Sequence, residues 1–182
     1  MTVTYPKSGL QDGVAFQQNG KPGTYPVQAW NDEIGTFQFA STLTEGTVIP
    51  FGAAVVKGKA EDGIRLPSAE DVFVPVAGGE GEEDVDANAV FAGVAVFNYY
   101  ATTQANGFKK QDLDVNVAVK QKGYVTVLMT SLEGVEFGSL VTIDSANPGN
   151  FKLAGEGDTV FGKVNKVFPA YGTAEIELKE FI

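Results

Sequence analysis

A chain with neither histidine nor cysteine has few routes to covalent chemistry, and this 182-residue sequence has neither. Ser-His-Asp and Cys-His nucleophile systems, His-ligated metals, thiolate zinc sites and disulfides are all ruled out. Asp, Glu, Lys, Tyr and Ser remain. The acids gather once, in GGEGEEDVDANA (78–89), where Glu80, Glu82, Glu83, Asp84 and Asp86 share one loop. Glu82, Asp84 and Asp86 alternate as calcium ligands often do. The run does not match the D-x-[DN]-x-[DN]-G loop with its terminal Glu. It reads as a solvated loop of repelling charges, and no metal site is expected. Gly78-Gly79-Glu80-Gly81 lacks the Lys-Ser/Thr of a phosphate loop, and its acidic neighbours would repel phosphate. Glycoside hydrolysis needs two carboxylates about 5 or 6.5–9.5 Å apart, and the spacing of the 23 acids singles out no pair. Tyr99, Tyr100 and Tyr171 could stack on sugars, although Tyr at strand ends more often packs with its hydroxyl in water. No catalytic residue, cofactor site or enzymatic activity is expected.

The elements that would hold such residues are strands. Glycine (22) and phenylalanine (13) are abundant, which suits a pleated core with many corners. Windows with a sustained 3.6-residue period are missing, so the expected class is all-β. The length suits one domain, with or without an appendage, that can bury a core without covalent staples. The net charge of −10, with only 13 Lys and Arg spread along the chain, argues against nucleic acid as partner. MTVTYPKSGL has no apolar h-region, so no secretory signal is expected. The longest apolar run, Ala89–Phe97, is broken by Gly93 and falls well short of the roughly twenty residues of a membrane helix.

The central stretch, Phe91–Ile143, sets the pattern. Val115, Val117 and Val119 alternate with Asn116 and Ala118; Lys120-Gln121-Lys122-Gly123 is short and polar; Tyr124–Met129 alternates again. That order predicts a β-hairpin turning at 120–123. FAGVAVF (91–97) reads as a strand apolar on both faces, and Glu136-Phe137-Gly138-Ser139 as a turn into Leu140–Ile143. Earlier, Phe37 and Phe39 alternate with Gln38 and Ala40 in a strand beginning at Thr36. Val48–Val56 follows, with Pro50 implying an edge strand or a break. Residues 57–70 are turn-rich, Asp71–Val76 is a further expected strand, and 144–150 is a loop. Val160–Leu178 closes the chain as a hairpin, with Thr173, Glu175, Glu177 and Lys179 expected in water and Ala174, Ile176 and Leu178 inside.

Residues 1–30 differ from the rest. Pro6, Pro22 and Pro26 alternate with Gly9, Gly13, Gly20 and Gly23, with no strand or helix period. The expected organisation is an extended N-terminal arm over 1–35 and a β-domain over 36–182. The arm's apolar side chains are too few to offset the entropy of ordering it alone. Yet Tyr5, Phe16, Tyr25 and Trp30 are poor choices for a solvated tail, and they are the candidate contact residues for a partner surface.

FAGVAVF, then VAV-KQKG-YVTVLM, FGSLVTI and the late FGKVNKVFPAYGTAEIEL (161–178) resemble the capsid decoration, or structural cement, proteins of tailed bacteriophages. Gly93-Val94, Gly123-Tyr124-Val125-Thr126-Val127 and Gly138-Ser139-Leu140-Val141 stand in the places of that family's strand-and-glycine motifs. The likeness covers a little under half the chain. Gln111-Asp112-Leu113 departs from it, since Gly-Asp would be expected there. The resemblance implies a small antiparallel β-barrel or β-sandwich that binds the outside of a capsid shell and stabilises it. It implies the major capsid protein and further copies of the chain (homotrimer, or dimer) as partners, and location in the virion after synthesis in the host cytoplasm. Nucleic acid and membrane are not expected partners. The other readings are a carbohydrate-binding β-sandwich module and a glycosidase-like enzyme.

Overall fold

The computed structural model describes residues 20–25, 33–73, 88–97, 103–104, 106–111 and 116–178. Their regular elements are eleven strands and one 3-10 turn. In chain order the strands are β1 (Glu33–Gln38), β2 (Val48–Pro50), β3 (Ala54–Gly58), β4 (Ala89–Ala95), β5 (Thr103–Gln104), β6 (Gly107–Lys109), β7 (Asn116–Leu128), β8 (Leu140–Ile143), β9 (Phe151–Leu153), β10 (Gly162–Phe168) and β11 (Thr173–Leu178). The 3-10 turn, Pro169–Tyr171, joins β10 to β11. The main sheet runs β3-β4-β7-β11-β10-β8-β9, with β1 also paired to β7, and β2-β6-β5 form a small second sheet. A bridge between Met129 and Phe151 brings the end of β7 to β9, so the sheet closes almost completely into a barrel, which protects strand edges.

The expected hairpin at 120–123 does not form. Asn116–Leu128 is a single strand of 13 residues. Its first half pairs antiparallel with β1 (Phe37 opposite Val117, Gly35 opposite Val119), its second half with β11 (Ile176 opposite Val125, Thr173 opposite Leu128). On the other edge it pairs with β4, Val94 opposite Lys120. Lys120 therefore sits between two partners with its side chain buried, where a turn residue would be solvated. Gly123, at φ +90°, lies where the strand passes from the β1 partnership to β11. Its unusual backbone serves a change of partner, and the chain does not reverse.

Pro50 breaks its run as expected, and two further expectations change. Val48–Val56 divides into β2 and β3 about a turn at Phe51-Gly52, and Pro50 ends β2, an edge strand of the small sheet. Asp71–Phe73 is not strand, because the Asp71 carboxylate serves Arg65 and Ser68 while the Val72 N–H donates to the Asn88 side chain; the rest of that segment lies outside the described residues. Thr173 and Glu175 are buried, not solvated. The closing hairpin itself forms as expected, and β1 begins at Glu33, three residues before Thr36.

The core holds two aromatic groups that follow from the phenylalanine content. Phe51 meets Phe97 and Phe108 edge-on, at 5.4 and 5.2 Å. Phe161 lies against Phe91 at 4.8 Å and Phe73 at 5.2 Å. Gly93 shows why a glycine is needed where β4 crosses β7. Its φ is +130°, and a Cβ there would collide with the carbonyl oxygen of Lys120.

Candidate functional site

The fold presents surfaces for contact, so the candidate site is built from what the surface exposes and from what braces it. The first brace is Gly20–Tyr25. Gly23 N–H donates to the Thr126 carbonyl and Thr126 N–H to the Thr24 carbonyl, both at 2.8 Å. These bonds complete the edge of β7 that β4 leaves uncovered. The Thr24 hydroxyl donates to Thr126 Oγ1 at 3.1 Å, and Thr173 Oγ1 donates to the Gly20 carbonyl at 2.5 Å. Asn165 donates to Glu175 Oε1 at 2.6 Å. Thr126 lies opposite Glu175 in the register, so these contacts explain why the face expected in water is covered. Gly23 and Gly52 are packed so closely that a Cβ on Gly52 would meet the Gly23 nitrogen at 2.9 Å.

Of the four candidate contact residues, Tyr5, Phe16 and Trp30 lie outside the described residues, as do residues 74–87 with the acidic loop, and Tyr99 and Tyr100. Tyr25 is half-buried within its own chain, its ring centroid 4.5 Å from Lys120 Nζ. That distance suits a cation–π contact. Tyr171 is 48% exposed at the 3-10 turn, beside Gly20.

A second brace holds the 58–73 loop. Arg65 spans Asp71 with two 2.7 Å hydrogen bonds and reaches Glu61 at 2.9 Å. Burial pushes the Asp71 carboxyl up, but the Arg65 hydrogen bonds and the Ser68 N–H outweigh it and hold that carboxyl below its ordinary value. Arg65 is held above the ordinary guanidinium value, first by Asp71. A third brace is Asp144. The Thr130 hydroxyl at 2.6 Å lowers its carboxyl most, burial opposes it next, and Asn147 and the Ala146 N–H add to the lowering, which prevails. Lys110 Nζ ties down the 40–47 loop through the Ala40, Ser41 and Leu43 carbonyls.

On this braced frame the most exposed large apolar side chain among the described residues is Phe137, at 74%, with Leu140 at 50% three residues on. Their turn is not loose. Gly138 N–H donates to Val164 O at 2.8 Å, Val164 N–H to Ser139 O at 2.8 Å, and Glu136 N–H to Ser139 Oγ at 3.1 Å. Lys163 lies opposite Leu140 in the register, beside Gly138. A solvated phenylalanine on a hydrogen-bonded turn, three residues before a half-exposed leucine, is a candidate anchor for a partner surface. In the sequence Glu136-Phe137-Gly138-Ser139 reads only as a turn, and the aromatic residue inside it is the one local sign of anything more. Among the described residues no three His, Cys, Asp or Glu side chains are grouped to hold a metal.

A family model described as structural cement protein (E217 gp24/Pam3 gp6) matches residues 16–179. A chain from the capsid of Myoviridae Phage XM1 superposes with a TM-score of 0.61, covering 99% of this chain and 100% of that one at 14% identity. That second likeness is one of fold. No curated protein matches the sequence.

Proposed function

Since the chain belongs to the phage structural cement protein family, a family of capsid-stabilising structural proteins, we propose that it acts on the outer face of the shell by binding the major capsid protein. Its role is mechanical, not enzymatic. Neighbouring copies add contacts to one another, as a homotrimer or a dimer, and the assembly needs neither nucleic acid nor membrane. The observation that carries this reading is the extent of the family match, residues 16–179, which takes in every described strand. The braces support it, because a part that reinforces a shell must not deform before the shell does. The anchors proposed for the shell are Phe137 and Leu140, together with the N-terminal residues Tyr5, Phe16 and Trp30, while Tyr25 is taken up by its own chain. Symmetry then multiplies a modest affinity, because each further contact forms at high effective concentration. No observation favours the carbohydrate-binding reading.

The test uses undecorated heads. Added protein should co-sediment with them and raise the temperature at which they release their contents, while antibody added afterwards should label the outer surface. Failure to sediment with intact heads would overturn the reading. Labelling only of broken heads would place the protein inside.

A further inference from the structure

Among the described residues, the outer edge of β1 is a surface feature that the braces do not explain. Val96 N–H donates to the Ala118 carbonyl, so the polar groups of Ala118 face β4, and those of Val117 and Val119 face β1. Gly35 and Phe37, opposite Val119 and Val117, therefore turn their main-chain groups toward β7. Ile34, Thr36 and Gln38 turn theirs the other way. The Gln38 carbonyl is taken by Ile64 N–H at 2.9 Å. Among the described residues nothing bonds the outward main-chain groups of Ile34 or Thr36. Most of the strand is also solvated on its faces, and Ile34 is 43% exposed. An open edge of this kind is a template for another strand. It carries neither proline nor lysine to discourage pairing.

We propose that this edge pairs with the same edge of a second copy, antiparallel about a two-fold axis through Gly35. The free groups are those of Ile34 and Thr36, which flank Gly35 symmetrically. That register sets Ile34 against Thr36 of the second copy twice over, making four main-chain hydrogen bonds. Gly35 faces its own counterpart, and Glu33 faces Phe37. Charge permits this occupant, and the symmetric placing of the free groups about Gly35 suits it. Each chain carries a net −10, so copies must meet where acids do not oppose each other. β1 has a single acid, Glu33, with Lys122 opposite it within the chain, and the proposed register keeps the two Glu33 side chains at opposite ends. A longer foreign strand would run into Ile64 at Gln38. The proposal deepens the cement reading, and rests on it, by naming one contact between copies and leaving the contact with the shell separate.

Hydrogen exchange at the Ile34 and Thr36 amides tests it on the full chain, dilute, concentrated and bound to heads. Both amides should slow by at least about tenfold as concentration rises, in step with a shift to a two-fold species in light scattering. Thr36→Pro removes an outward N–H without touching the β7 pairing, and Ile34→Lys adds a charged edge. Each should abolish the protection and the dimer while leaving the melting temperature within a few degrees. Unprotected amides at every concentration and on heads would overturn the proposal. Protection independent of concentration would assign the edge to the chain itself, and protection only on heads would assign it to the shell protein. Variants that lose the dimer yet still bind heads would separate this contact from the cement reading, which fails only if head binding is absent in the unaltered protein.

Discussion

Asp71 and Asp144 show how much one carboxylate can hold in this fold. Each is nearly out of reach of solvent in its brace, and each has its pKa depressed by hydrogen bonds to the charged form. A depressed carboxyl contributes stability that is complete above its unfolded pKa, about 3.9, and is lost as pH falls through the folded value. The melting temperature should therefore hold from neutral pH to about 5 and fall steeply below about 4. Asp71→Asn and Asp144→Asn should each melt lower at pH 7 and approach the unaltered protein in strong acid. A constant gap at all pH values would show that shape, not charge, matters at these positions. Asp71→Ala leaves a mostly buried guanidinium half-paired, at a cost on the order of 3 kcal/mol by urea denaturation. Gly93→Ala should cost a similar amount, on the order of 3 kcal/mol, because its positive φ and the Lys120 carbonyl both oppose a side chain. Near-neutral behaviour would mean that β4 can move off β7.

At the scale of elements, the strand Asn116–Leu128 and the segment Gly20–Tyr25 explain both what could be read from the sequence and what could not. Alternation in Val117–Val119 and Tyr124–Leu128 placed the residues on strands correctly, since period 2 is local. Whether Lys120–Gly123 turns or continues depends on partners that lie far off in sequence: Glu33 opposite Lys122, Val94 opposite Lys120. The same blindness applies to Thr173 and Glu175. Their side chains belong in water until Gly20 and Asn165 reach them. Pro50 and the 160–178 hairpin were legible because a missing N–H and a short turn act within a few residues. Among the candidate contacts, Tyr25 was legible as an aromatic but not as one committed to Lys120. Phe137 was hidden because exposure has no period. The segment gives a sharp prediction. Removing residues 1–19 should leave the melting temperature close to that of the full chain. Removing 1–25 should lower it by several degrees, because the edge of β7 at Thr126 and the Thr173 hydroxyl lose their partners. Equal melting of the two truncations would mean that water replaces the segment at no cost.

For the whole molecule, stability and attachment ought to be separable, because the braces and the exposed anchors are made of different residues. The neighbours of Phe137 (Gly138 and Ser139) and Leu140 itself are bonded into the frame through their main chains, while the Phe137 side chain is largely, and that of Leu140 half, in solvent. Exchanging both for serine therefore removes little native packing, and such surface changes typically alter stability by less than about 0.5 kcal/mol each. The same exchange removes an aromatic anchor from any surface they touch, and truncating such an anchor costs about 2 kcal/mol or more per contact. On a shell the loss is repeated at every copy, and contacts that reinforce one another fail together. The expected result for Phe137→Ser with Leu140→Ser is a melting temperature within about two degrees of the parent and a loss of occupancy on undecorated heads of at least about tenfold in half-saturating concentration. Full occupancy with unchanged melting would show that this turn faces away from the shell, leaving the N-terminal aromatic residues as the proposed anchors. A large fall in melting temperature would instead show that Phe137 braces the fold, and its exposure would then need another explanation.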